Sequence, residues 1–261
     1  MKRTLLCGLL AAASLSLPAR AHARPVPVQV DGCLLEEGAY LEEGTTYVPL
    51  RSFLDALGGW ELTWDSQRQA AVAASGTADL VADPGENTLS VNDRTYNGRV
   101  TVENGRTFVP LRLLIEALDG SVAWDARLGG AAVTSPDAPY DAQELYWLSR
   151  IICAESGAEP MRGKIAVGNV VLNRVDSEDF PDNIPDVIFQ FDGKIQFEPV
   201  ENGTVYRDPT EQSVEAAKRA LDGENTIGDA LFFYAPALSR GEWINENRTY
   251  YRTIGCHRFY L

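Results

Sequence analysis

Glu155 is the residue of this 261-residue chain whose neighbours equip it for chemistry. Counting about 100° per residue puts Leu145, Leu148, Ile151, Ile152 and Glu155 on one side of a helix, so an acid shares the apolar stripe. Ser156-Gly157 closes the run, which places Glu155 in the last turn, near the negative end of the helix dipole. Aliphatic surroundings and that dipole both disfavour a carboxylate and push its pKa upward. An ordinary Glu is protonated to roughly 0.2% at pH 7, whereas one raised to about 6 is protonated to roughly 10%. A general acid needs that difference. The competing role is structural, with the same carboxylate paired to Arg150, Arg162 or Arg174.

Other groups bear on which chemistry is open. Two-carboxylate glycosidases need a second acid roughly 5–9.5 Å from the first. Glu159 is four residues on, but the adjoining Gly157, Ala158 and Pro160 leave its direction unreadable, and Glu198 and Glu201 stand farther along. Cys153 and His257 form a possible thiol–imidazole pair. Against it, a mid-helix cysteine lacks the helix-start dipole that lowers a thiol pKa. Of the two histidines in the sequence, one is His22, close to the N-terminus. The single remaining histidine excludes zinc amidases that need two, and the usual Ser-His-Asp plan with separate ligand sets. No metal or cofactor is expected.

The elements that must position these groups can be read next. Asp141 and Glu144 form a capping box opening the Glu155 helix, and Pro160 begins a second helix with Ile165, Gly168, Val171 or Leu172, and Val175 along one face. Asn169 and Asn173 lie on another face, able to reach N-acetyl groups or nearby backbone. Asp208-Pro-Thr-Glu211 is a further capping box, and its helix ends at Gly223. Ala230 to Pro236 reads as a short buried strand, followed by Trp243.

The segment Ala154-Glu155-x-x-x-Glu159-Pro160, with Gly163-x-Ile-Ala-Val167 and Val171-Leu-Asn-Arg-Val175, resembles the catalytic domain of SleB-type, spore cortex-lytic cell wall hydrolases. Gln196-Phe197 matches the core of that family's Gln-Phe-x-x-Val-x-x-Gly element. Phe233-Tyr234-x-Pro236 and Ile254-Gly-x-His257-x-Phe-Tyr260 match later ones, so the likeness spans about residues 143–261. It implies a mainly helical, lysozyme-like domain acting on peptidoglycan, with Glu155 as catalytic acid and the Gln196-Phe197 segment lining the sugar groove; Asn173, Tyr234 and His257 are the further candidates for substrate binding, His257 with a structural role as its alternative. With a single convincing acid, it points to a lytic transglycosylase cutting between N-acetylmuramic acid and N-acetylglucosamine and leaving 1,6-anhydromuramoyl ends. The family usually has Arg-Gly between the two glutamates, where this chain has Ser156-Gly157-Ala158. Two alternatives stay open: a wall-binding protein with weak or no catalysis, and a wall peptidase using Cys153 and His257.

The preceding half is a repeat with an offset near 61 residues. Thr46-Tyr-Val-Pro-Leu-Arg51 and Trp64-Asp65 are echoed by Thr107-Phe-Val-Pro-Leu-Arg112 and Trp124-Asp125. Each copy reads as a strand, a short helix beginning at Pro49 or Pro110, and a strand carrying Trp-Asp. Asn92-Asp93 and Asn104-Gly105 mark hairpin turns. This half, about residues 26–135, resembles the stalk domain named after the N-terminal region of copper amine oxidases, and is expected to be a spacer or weak wall-binding module. It holds no histidine and one cysteine, so the name brings no metal with it. Arg51 and Arg112 are expected to bond neighbouring turns or acids, and Trp64 and Trp124 to lie in the core. Residues 136–142 read as a linker. The fold class is therefore α+β, with a strand–helix repeat followed by a mainly helical domain at 143–261.

Lys2-Arg3, the apolar run Leu5 to Leu17 and the small residues up to Ala23 read as a secretory signal peptide, residues 1–23, too short for a membrane anchor. The expected product is secreted to the wall or spore cortex, off the membrane. Its removal leaves 20 basic against 37 acidic residues, which makes nucleic acid an unsuitable partner. Cys33, Cys153 and Cys256 remain, with a Cys153–Cys256 bridge and three free thiols both open.

Overall fold

The computed structural model describes residues 23–193 and 195–261. Apart from Ala23, the expected signal peptide lies outside them. The first half opens with β1 (Arg24–Val26), β2 (Val28–Val30), β3 (Cys33–Leu34) and β4 (Ala39–Glu42). Its first repeat copy is β5 (Thr45–Pro49), α1 (Leu50–Leu57), β6 (Glu61–Asp65) and β7 (Ala70–Ala74). Then come β8 (Asp79–Asp83), β9 (Thr88–Val91), β10 (Arg94–Asn97) and β11 (Thr101–Glu103). The second copy is β12 (Arg106–Pro110), α2 (Leu111–Ala117), β13 (Ser121–Asp125) and β14 (Gly130–Thr134).

Proline has no N–H to give a strand ladder and its fixed φ suits a helix start. Pro49 and Pro110 accordingly sit at the N-caps of α1 and α2, ending one element and opening the next. Leu50, Phe53 and Leu54 from α1 and Leu111, Leu114 and Ile115 from α2 fill a common core. The copies meet through equivalent strands: β5 pairs antiparallel with β12, Val48 opposite Val109. That pairing lies in the sheet β1-β4-β5-β12-β11, beside a second sheet, β10-β9-β8-β7-β6, and a third, β13-β14-β2-β3. Asn104 and Gly105 both take positive φ, 51° and 74°, as a two-residue hairpin turn demands.

The tryptophans of the repeat correct the expectation of burial: Trp64 is 43% and Trp124 48% exposed. Each shares a strand face with a residue packed on the core, Leu62 or Val122, but stands two residues nearer the strand end. Opposite each is a small alanine, Ala71 or Ala131, so the ring runs out past the edge of the core.

The second half comprises α3 (Ala142–Ser156), α4 (Met161–Val175), α5 (Ile184–Ile188), α6 (Glu198–Glu201) and α7 (Glu211–Leu221). It closes with β15 (Phe232–Tyr234), α8 (Glu242–Asn247), β16 (Tyr250–Ile254) and β17 (His257–Tyr260), the strands ordered β15-β17-β16. Asp141 caps α3, accepting from the N–H groups of Gln143 and Glu144. Pro160 is the residue before α4, one position earlier in the helix start than its sequence suggests. At α7 the cap is Thr210, whose hydroxyl accepts from Ser213 N–H, and not Asp208. Asp208 is thereby free to bind Arg150. Three helices converge at Gly168, where a Cβ would stand 2.9 Å from Ile152 Cδ1 and 3.3 Å from Ala220 Cβ.

The halves are joined by buried chemistry as well as by chain. Asp65 and Asp125 each fold their own turn, one oxygen accepting two backbone N–H groups. In the second copy the other oxygen, Oδ2, also accepts from Trp147 Nε1 of α3 at 2.7 Å, in a buried setting. Arg127 pairs with Asp186 across the same boundary. Residues 135–141 are tied at both ends, by Ser135 N–H to Asp31 and by the Tyr140 hydroxyl to Asp222. No described helix is long and apolar enough to cross a membrane.

Candidate active site

The last turn of α3 delivers Glu155 to a groove of about 630 Å³ whose walls also carry Arg174, Gln196, Glu198, Tyr234 and His257. Leu148, Ile151 and Ile152 on the same helix are fully buried, so the rod that holds the acid is fixed by the core. Burial raises the Glu155 pKa to about 7; the Glu198 charge adds to the shift and the Arg174 charge opposes it. Among the described residues Glu155 makes no hydrogen bond and no ion pair. A carboxyl that faces a groove unpaired and half-protonated at neutral pH can both give a proton and take one back.

The arginines once open as its structural partners are placed otherwise. Arg150 binds Asp208 at 2.8 Å and lies 3.6 Å over the Tyr146 ring, and Arg162 is exposed. Arg174 gives its Nε–H to Leu231 O at 2.9 Å and packs its guanidinium among Phe180, Phe197 and Phe232. Burial lowers the Arg174 pKa to about 10, with Glu155 pulling the other way. It remains a cation, on the same groove wall as the acid and not hydrogen-bonded to it.

Glu159 turns away from this groove. Both its oxygens accept from Cys256 N–H, at 3.2 and 3.1 Å, and Oε1 lies 4.0 Å from His257 Nδ1. The approach is possible because Gly255, with φ 54°, has no side chain: a Cβ there would stand 1.6 Å from Glu159 Oε2. Glu159 thus anchors the β16–β17 turn. Beside it, buried Lys164 gives its ammonium to the carbonyls of Gly157 at 2.9 Å and Glu159 at 2.5 Å, satisfying the exit of α3. Neither bond is visible in residue spacing. Glu201 is not on the groove wall, whereas Glu198, at the first position of α6, is.

Of the residues expected to bind substrate, the fold brings Gln196, Phe197, Tyr234 and His257 to one groove with Glu155. Phe197 is a wall and not a platform, 2% exposed and packed on Phe233. The Tyr234 hydroxyl is engaged by Asn245 and Arg258. His257 stands edge-on to Phe233 at 5.3 Å, and burial, partly offset by Glu159, lowers its pKa and so favours the neutral ring. Asn173 is a correction. Its amide donates to the carbonyls of Gly228 and Ala230 at 2.7 and 2.9 Å, so it fastens the segment before β15 and is absent from the groove. Asn169 is likewise spent on structure, its amide N–H donating to Glu224 O and its Oδ1 accepting from Thr226 N–H. Cys33, Cys153 and Cys256 are free thiols, so the bridge considered above is not formed; Cys153 does share the groove wall with His257.

A second cavity, about 830 Å³, continues the first through Arg174, Gln196, Phe233 and Ser239. Half-exposed Trp243 projects there edge-on to Phe232, ring centroids 6.0 Å apart, and the Arg248 guanidinium lies against both, 5.0 and 4.4 Å from the two rings. The combined cleft suits an extended polymer. Sequence reading missed this extension because its parts come from separate elements.

Residues 158–260 match the Cell Wall Hydrolase family model, and residues 29–133 match the Copper amine oxidase N-terminal domain. The chain carries a cell wall hydrolase domain. Glu159 and His257 lie within the matched residues, while Glu155 stands three residues ahead of them. The chain is similar to the spore cortex-lytic enzyme of Halalkalibacterium halodurans, 32% identical over 126 residues, 48% of this chain and 37% of that protein. It is also similar to that of Bacillus cereus, 32% identical over 120 residues, 46% of this chain and 45% of that protein. It therefore spans less than half the length of these two curated relatives. Among solved structures it is similar to the catalytic domain of the germination-specific lytic transglycosylase SleB from Bacillus anthracis. The identity is 32% and the TM-score 0.43, over 47% of this chain and 98% of that one. The repeat in front of the cell wall hydrolase domain has no histidine and only Cys33, a donor set that does not fit copper.

Proposed function

We propose that this protein degrades peptidoglycan outside the membrane, cleaving the bond between N-acetylmuramic acid and N-acetylglucosamine with Glu155 as general acid. The observation that carries this reading is Glu155 itself, unpaired on the groove wall with its pKa at about 7. The names of the similar proteins, spore cortex-lytic enzymes and a lytic transglycosylase, support the same substrate.

One residue of this kind suffices for the transglycosylase route. Glu155 gives its proton to the bridging oxygen, the C1–O bond breaks, and the leaving sugar departs with a hydroxyl. The carboxylate, steadied by Arg174, then takes the proton of the muramic 6-hydroxyl as that oxygen bonds to C1. The product is a 1,6-anhydromuramoyl end, the proton is back on Glu155, and no water is consumed.

Mass spectrometry of digested, purified peptidoglycan tests the proposal. Anhydromuropeptides are expected; reducing ends in their place mean a hydrolase, for which Glu198 is the second acid on the groove wall to test, and freed peptides mean a peptidase, for which Cys153 and His257 are the groove residues to test. Binding to sacculi without any soluble product overturns the catalytic reading.

A further inference from the structure

The indole of Trp64 is 43% exposed on its hairpin, and polar side chains are arranged around it. Trp64 lines a cavity of about 350 Å³ between β6, the start of α1 and the β11–β12 turn, with Glu37, Arg51, Thr63, Asn104 and Arg106 around it. The polar side of this cavity is held in place by the fold. Glu37 is fixed from two directions, accepting from Ser52 Oγ at 2.8 Å on Oε2 and facing Arg106 Nη2 at 3.2 Å on Oε1. Arg51 is oriented by one hydrogen bond, from Nη2 to Leu62 O at 3.2 Å, and a guanidinium has further donors to offer.

The repeat supplies an internal comparison. Trp124 occupies the matching position and is as exposed, but Arg112, the counterpart of Arg51, is drawn onto Glu116 of its own helix at 3.2 Å. The position corresponding to Glu116 is Asp55, one methylene shorter. One copy has kept its arginine turned toward the tryptophan's strand, and the other has not.

We propose that the Trp64 cavity is a second glycan-binding site, holding an N-acetylated sugar of the wall strand apart from the Glu155 groove. An indole face accepts the C–H face of a pyranose, as aromatic side chains accept other flat apolar surfaces. The fixed carboxylate of Glu37 accepts from sugar hydroxyls or the acetamido N–H, and Arg51 donates to carbonyl or lactyl oxygens. The choice of glycan rests on the substrate class proposed above. Tethering the strand here raises its effective concentration at the groove between cuts.

The test is co-sedimentation of the full chain carrying Glu155→Gln with purified sacculi, at several protein concentrations. Adding Trp64→Ala is expected to weaken association about fivefold, and Trp64→Phe to restore most of it. Trp124→Ala is expected to sediment like its parent, and melting curves check that every variant is folded. Association unchanged by Trp64→Ala, or weakened as much by Trp124→Ala, overturns the site. The two readings fail separately: anhydro ends from the wild type with Trp64-indifferent association sink only this site. Trp64-dependent association with no cleavage sinks only the catalytic proposal.

Discussion

Glu198 shares the groove with Glu155, and after burial its negative charge is the largest influence keeping the Glu155 proton in place; the Arg174 guanidinium, on the same wall, works against it. The pair are two acids with different settings. Glu198 is exposed at a helix start, while Glu155 is partly buried, at a helix end. Partial burial is what lets Glu155 hold its proton.

Replacing Glu198 by Gln therefore separates the two glycosidic mechanisms. With Glu155 working alone, turnover persists and the high-pH limb of the rate profile moves to lower pH, because a charge that raised the Glu155 pKa has gone. A two-carboxylate hydrolase would lose about a thousandfold or more in rate. The pH dependence of turbidity loss in a sacculus suspension distinguishes these outcomes.

Glu155→Gln should abolish cleavage and have a pH-dependent effect on stability. Between about pH 4.5 and 7 the folded chain keeps a proton on Glu155 that the unfolded chain has released. That contribution is fully present below the unfolded pKa and is lost as pH rises through about 7, beyond which the buried charge costs up to about 3 kcal/mol. The glutamine variant should then melt above its parent at pH 8 and alongside it at pH 4. Thermal unfolding at the two pH values checks the difference.

Gly255→Ala should be among the most damaging single-methyl additions in the chain, since the new Cβ meets Glu159 Oε2 and the φ of 54° is strained for alanine. Glu159→Ala, which leaves the Cys256 N–H without its acceptor, should cost about 1–3 kcal/mol. Denaturant titration reads both. If Glu159→Ala kept full stability while losing all cleavage, Glu159 would be a catalytic group instead of an anchor.

Trp147→Phe removes the indole N–H that binds Asp125 and should destabilise by about 1–3 kcal/mol, because a buried carboxylate oxygen loses its partner. Asp65→Asn, at the half-exposed counterpart that has no indole partner, should have the smaller effect. Equal effects would mean that the bond between the halves adds nothing to the turn that both copies share.

Cys153→Ala should leave cleavage of the glycan intact. Loss of activity with retained fold, together with freed peptides in the wild-type digest, would replace the glycosidic reading by the thiol one.

What the sequence determined by itself was local and periodic. The 3.6-residue spacing put Glu155 on an apolar stripe and Gly157 put it at the helix end; the 61-residue echo gave both prolines their place at strand-to-helix changes; Asn104-Gly105 gave a hairpin. Each depends on dihedral preferences and neighbours within a few turns. Tertiary structure alone decided which charges act on that acid. Arg174 and Glu198 reach Glu155 from other elements, Glu159 turns to a hairpin contributed by the last residues of the chain, and the amide of Asn173 is taken by two carbonyls on a distant segment. It also decided where the core ends, and so left Trp64 and Trp124 outside it. Burial and Coulomb interactions depend on distance through space, and spacing along the chain does not carry that distance.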